Sequence, residues 1–284
     1  MRCAGAILAT AALFGCAAAF SNSSLNPAGT AFEIDLVFPR NGTYAPAHLL
    51  PIIFAIQNPQ AGEGLLTDLV ITVYRGDWLS GNSSIALDIN HLADVNLSTV
   101  DNEPYFLVLA SPALNGTEGH FALQYEFGFL NCSATERDPR YEGLDDNPKR
   151  NISQFRDVVE FTLRNDAPAA VDGFHTSRDD CPVPVGTFNV TGSLPWDNTY
   201  RYKRPPTRTL CGVLTEPTPS AVPCAVQVNR ALAADLSTRV TETACSWGDP
   251  FPTLNCKKSL AAGRPTTDSI VWLAMAFALL YGFP

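Results

Sequence analysis

The chain has 284 residues, a net charge of −9 and only 17% charged residues. The usual charged share is about 25%. Phosphate recognition needs clustered Lys and Arg, so this acidic balance argues against a nucleic-acid surface and against a basic membrane patch. The length suits one or two domains, and it is enough to bury a full core without help from cross-links.

The first element in chain order is a targeting signal. Arg2 supplies a positive start, and residues 3–16 are almost wholly apolar. That run is too short to span a bilayer. Ala17, Ala18 and Ala19 then offer the small residues that a signal peptidase reads, so residues 1–19 are expected to be removed. Residues 20–195 are expected to form the main domain. Phe32 to Pro39 alternates apolar and polar residues, which predicts a half-buried strand stopped by proline. On that reading Glu33 and Asp35 lie on its solvated side. Leu49 to Ile56 is nearly continuously apolar and predicts a strand covered on both faces.

Further strands are expected at Leu66 to Tyr74, Ile85 to Ile89 and Tyr105 to Ala110. The clearest signal follows. Phe121, Leu123, Tyr125, Phe127 and Phe129 place a large apolar side chain at every second position. A helix would scatter them around its circumference. Val159, Phe161 and Leu163 repeat the pattern, and Thr187 to Leu194 adds one more strand. Short strands between Gly, Pro and Asn turns predict an all-β chain, an antiparallel β-sandwich of immunoglobulin-like form.

Residues 196–259 read as a Cys/Pro-rich extension. Its Arg204 to Pro223 part looks linker-like, and a helix is expected near residues 226–238, where Val228, Leu232 and Leu236 recur at four-residue spacing. Residues 260–284 read as a removed anchor signal. Ile270 to Pro284 is uncharged, a polar spacer precedes it, and small residues stand before that. This order matches a glycolipid-anchor signal with attachment at Ser259 or Ala261.

Six cysteines remain once both ends are set aside: Cys132, Cys181, Cys211, Cys224, Cys245 and Cys256. An even set in a secreted chain reads as disulfides. Cys132 with Cys181, and Cys224 with Cys245 across the helix, are the pairings suggested by position, though every connectivity stays open. Asn-x-Ser/Thr occurs at Asn22, Asn41, Asn82, Asn96, Asn115, Asn131, Asn151 and Asn189. Chance placement would give roughly two such sites. The excess predicts surface asparagines carrying N-glycans.

The string from Phe32 to Pro46, followed by Leu50 to Asn58, resembles the opening of an uncharacterised domain family. That family comprises secreted, often glycolipid-anchored glycoproteins of filamentous ascomycete fungi. The resemblance extends over about Ala31 to Cys256. It implies compartment and source, and it carries no activity.

Chemistry is sparse. His48, His91, His120 and His175 form no metal-binding motif, and His175 with Asp179 and Asp180 is the nearest approach to a ligand cluster. Neither a nucleophile elbow nor a phosphate-binding glycine loop occurs, so no cofactor is implied. Glu136, Asp138, Glu142, Asp145 and Asp146 read as a solvated acidic loop rather than a calcium site. Lys149-Arg150 is a dibasic pair open to processing. Trp196, Tyr200 and Tyr202 stand beside polar groups and suit stacking on sugar rings, with Trp78 as a further aromatic.

Three functions remain. The first is a secreted, N-glycosylated, glycolipid-anchored fungal surface protein with a structural or interaction role, held to the membrane by its lipid alone. Its partners would be wall polysaccharide or surface glycoproteins. The second is a carbohydrate-binding module acting through Trp196, Tyr200 and Tyr202. The third is a secreted glycoside-active enzyme using two converging carboxylates, for which no catalytic residue is assigned.

Overall fold

In the computed structural model the described residues are 29–76, 84–90, 97–100, 104–137, 148–195, 210–246 and 256. Ten strands and one α-helix occur among them. The strands are β1 (Thr30–Phe38), β2 (Thr43–Tyr44), β3 (Leu50–Gln57), β4 (Leu66–Arg75), β5 (Ser84–Asn90) and β6 (Tyr105–Ser111). They continue as β7 (Gly119–Arg137), β8 (Pro148–Leu163), β9 (Val183–Pro195) and β10 (Leu210–Leu214), and the helix is α1 (Arg230–Ser246). The pairing path runs β2-β8-β7-β10-β9-β1-β3-β6, with β4 on β7 and β5 on β4. Most pairs are antiparallel, but β2 with β8 and β10 with β7 are parallel, so the sheet is mixed rather than purely antiparallel.

β7 organises the path because it serves two partners along one edge. Residues 121–129 pair with β4, and Asn131 pairs with Gly212 of β10. The hand-over lies at Gly64 and Leu65. Leu65 accepts the Leu130 N–H at 2.8 Å, and Gly64 accepts the Gly212 N–H at 3.2 Å. Gly64 has φ +75°, and a Cβ there would stand 2.9 Å from the Leu210 carbonyl carbon. Both the left-handed backbone and the close approach require glycine. A disulfide from Cys132 to Cys211 fixes the same junction.

The alternating row of β7 is buried throughout. Phe54 of β3 meets Tyr125 and Phe127 edge-on, with ring centroids 5.5 and 5.1 Å apart. Phe129 meets Phe188 of β9 at 4.4 Å. These contacts join strands far apart in the pairing path into one core, and aromatic rings bring large apolar area to it.

Glu33 and Asp35 are buried, 4% and 0% exposed, against the expectation of a solvated face. The reason is a second cover. Residues 215–229 cross over β9, β1 and β3, and α1 packs on β6. The helix starts later than its periodicity suggests. Val226 and Val228 are extended and buried with Gln227 exposed between them, and Asn229 caps the helix by accepting the Leu232 N–H at 2.9 Å. Ala233, Leu236, Val240 and Ala244 then face the core. The linker-like stretch also contains β10, which pairs with β9 from Leu210 to Leu214.

The cysteines join as Cys132–Cys211, Cys181–Cys224 and Cys245–Cys256. Both pairings suggested by sequence position are therefore overturned. Cys132 lies beside β10 through the parallel contact, and the helix carries Cys245 away from Cys224.

Phe54→Ala is expected to cost about 3–5 kcal/mol, because it empties the centre of the aromatic contact. Asn229→Ala should cost about 1 kcal/mol through the lost cap. Urea unfolding of the two variants checks both figures and their order.

Candidate functional site

Several sequence-derived positions lie outside the described residues: Trp78, Trp196, Tyr200, Tyr202, Asn22, Asn82, Asn96, Ser259 and Ala261. The other five sequon asparagines are placed. Asn41 sits exposed in the turn before β2, and Asn115 is exposed with its Oδ1 3.0 Å from His48 Nδ1. Asn151 is exposed on β8, directly opposite the half-buried Asn131 of β7. The Asn131 Oδ1 accepts the Leu214 N–H at 3.1 Å and so holds β10 to β7. Asn189 is half-buried, and its Nδ2 donates to the Pro217 carbonyl at 3.3 Å.

A cleft of about 390 Å³ opens where β10 leaves β7 after one bridge. Asn131, Ser133, Asn151, Thr191 and Thr215 bring amides and hydroxyls to it, and Val213 and Leu214 give it an apolar part. Among the described residues no charged side chain lines it. Such a lining suits a neutral, hydroxyl-rich ligand, and its volume is at the small end for ligand sites.

Arg40 forms a second polar centre, one that the sequence did not single out. It is 8% exposed. Its guanidinium pairs with the Asp180 carboxylate and donates to the carbonyls of Gly173 at 2.9 Å and His175 at 2.8 Å. Tyr44 closes the site by donating its hydroxyl to the Arg40 carbonyl at 3.1 Å. The fork geometry of Arg lets one side chain hold several acceptors of the loop before Cys181. This arrangement takes the carboxylate of Asp180 away from the suggested His175, Asp179 and Asp180 cluster. Among the described residues no group of three or more His, Cys, Asp or Glu is placed to hold a metal ion.

The third centre is the acid pair of β1. Val222 donates its N–H to both carboxylate oxygens of Glu33, at 2.8 and 2.9 Å. Gln57 of β3 donates from Nε2 to Asp35 Oδ2 at 2.8 Å and to the Val222 carbonyl at 3.3 Å. Asp35 Oδ1 is buried with no hydrogen-bond partner among the described residues. Burial pushes the Asp35 carboxyl up to about 8; the Gln57 hydrogen bond opposes this, and the neighbouring Glu33 adds to it. Two carboxyls at alternate positions of one strand share a face, and like charge disfavours ionising both. A period-two pattern cannot reveal this pair, because it marks the polar side of a strand without saying what covers that side.

The comparison with known families matches residues 27–256 to DUF7136, a domain of unknown function. The chain belongs to this family. The match spans most of the chain, including the strands, the residue 215–229 crossing and α1. No curated protein and no solved structure matches. The family match assigns a role to none of these residues, and the three centres above stand on their geometry.

Arg40→Ala is expected to destabilise the fold by about 2–3 kcal/mol, since it removes the donor to the part-buried carbonyls of Gly173 and His175. Asp180→Asn should cost under about 1 kcal/mol, because that carboxylate is exposed. Urea titration separates the two roles.

Asp35 imposes a pH dependence of definite sign. Its carboxyl ionises near 3.8 when free and about 8 in the fold, so the folded chain holds the extra proton between those values. The stabilisation is full below about pH 4 and is lost as pH rises through about 8. The melting temperature is expected to fall from pH 5 to pH 9, and to fall less in Asp35→Asn.

Proposed function

We propose that the protein is a secreted, N-glycosylated surface protein of a filamentous fungus, retained by a glycolipid anchor, with a structural or interaction role at the wall. The observation that carries this reading is the closure of all six body cysteines into three disulfides around a β-rich core. Stable disulfides belong to oxidising compartments. The exposure of Asn41, Asn115 and Asn151 supports the glycan part, because a glycan must face water. Among the described residues no helix is long and apolar enough to cross a membrane. The ring contacts between β7 and strands β3 and β9 support reading the sheet as two layers of a sandwich.

A second reading is favoured by the cleft at the β7–β10 junction. Its uncharged amides and hydroxyls suit a saccharide, and β9, which contributes Thr191 to it, leads directly into the segment bearing Trp196, Tyr200 and Tyr202. A glycan array read with the natural chain and with Trp196→Ala tests this. An unchanged profile, or no ligand, removes it. Hydrolytic use of Glu33 and Asp35 is disfavoured, because residues 215–229 cover the pair and leave a glycosidic oxygen no route to it while they are in place.

Glycopeptide mapping is expected to find Asn41, Asn115 and Asn151 occupied and Asn189 less so, since the Asn189 amide is held against Pro217. Phosphatidylinositol-specific lipase should release the protein from intact cells. Mature protein that still contains residues 270–284 would refute the anchor.

A further inference from the structure

The segment between β10 and α1 is held in an unusual way. Residues 215–218, 220–222 and 224–225 are exposed, so this strap adds almost nothing to the apolar core until Val226. Polar contacts hold it instead. Thr215 donates its N–H to the Asn189 carbonyl at 2.9 Å, and Thr187 Oγ1 donates to the Pro219 carbonyl at 2.9 Å. At its centre the Val222 N–H sits in the fork of the Glu33 carboxylate, and Gln57 bridges the Val222 carbonyl to Asp35. The Cys181–Cys224 disulfide ties its far end down. A segment with little apolar burial and a covalent tether is drawn from the low-stability end of a fold, able to open without global unfolding.

The acid pair is the part of this contact that responds to solution conditions. Asp35 is 0% exposed, Gln57 donates to its Oδ2, and the Glu33 carboxyl stands next to it. Glu33 on the same strand is the charged group acting on it. The neighbouring elements present neutral groups: Ala55 of β3 and Pro184 of β9 opposite Asp35, Gln57 beside it, and Val222 above. One proton lets the pair lie under the strap with a single charge. Loss of that proton leaves two buried carboxylates side by side with no cation paired to them among the described residues, and the cheapest relief is water. Water reaches them only if the strap moves.

We propose that residues 215–223 form a proton-dependent flap, latched to Glu33 while Asp35 is protonated and lifting about the Cys181–Cys224 tether when it ionises. Lifting uncovers a polar strip of Glu33, Asp35, Gln57 and Thr187 across β1, β3 and β9. The body of the sheet stays closed, because the rows facing β7 do not depend on the strap.

Hydrogen exchange with mass-spectrometric peptide resolution tests this on the full disulfide-bonded protein. Rates are divided by the intrinsic rate at each pH. Between pH 5 and pH 8 the peptide containing Val222 should lose protection, by up to about tenfold per pH unit, and then level off above about pH 8, as one-proton linkage requires. Peptides of β7 and β8 should stay protected. In Asp35→Asn the strap should remain protected across the range, since an amide keeps the Gln57 contact and donates towards Glu33. Constant strap protection in the natural chain overturns the proposal. So does simultaneous loss in the strap and in β7, or an unaltered pH response in Asp35→Asn. Should that variant fail to fold, the strap-against-β7 comparison in the natural chain decides alone.

Discussion

The fold depends on one strand carrying large rings at alternate positions and changing partners part-way along its edge. β7 presents Phe121 to Phe129 to the core, where Phe54 and Phe188 meet them. The same strand pairs with β4, and then with β10, on a single edge. Without the hand-over at Gly64 and Leu65, β9, β1, β3 and β6 would not be continuous with β4, β5 and β8. The Cys132–Cys211 bond stands at the point where one ladder contact alone would leave that continuity weak.

Much of this architecture is legible in the order of the amino acids. β3 is covered on both faces, as its uninterrupted run requires, and the ring row of β7 is buried, as its alternation requires, although Ala122, Gln124 and Gly128 on the opposite face are buried as well. β10 is hidden, since its five strand residues lie between prolines and threonines that suggest an unstructured linker. The first half of β8 is hidden for another reason: residues 151–154 are all exposed, so no buried face leaves a period in the sequence. Disulfide pairing is beyond reach, because it is a consequence of which strands become neighbours. Glu33 and Asp35 mislead for a related reason. Polarity marks their side of β1 correctly, but burial there comes from a segment nearly two hundred residues away.

The polar centres differ in what they do for the molecule. Arg40 answers a structural need, gathering part-buried carbonyls of the loop before Cys181 on one side chain. The acid pair answers no such need, and an apolar pair at the same positions would pack without a desolvation cost. Its presence under a thinly held strap is the feature of this chain that packing alone does not explain. The cleft is different again: it exists because two ladders diverge, and its chemistry is inherited from whichever residues line the gap.

The cross-links also define how the chain carries load. A pull applied beyond Cys256 passes through the Cys245–Cys256 bond into α1, bypassing the residues between them. It then reaches Cys224 and crosses directly to Cys181 at the start of β9. Between those two bonds, only α1 and the few residues before it can lengthen. The strap and β10 lie off this line of force, so tension from that side would stretch a helix and leave the flap untouched.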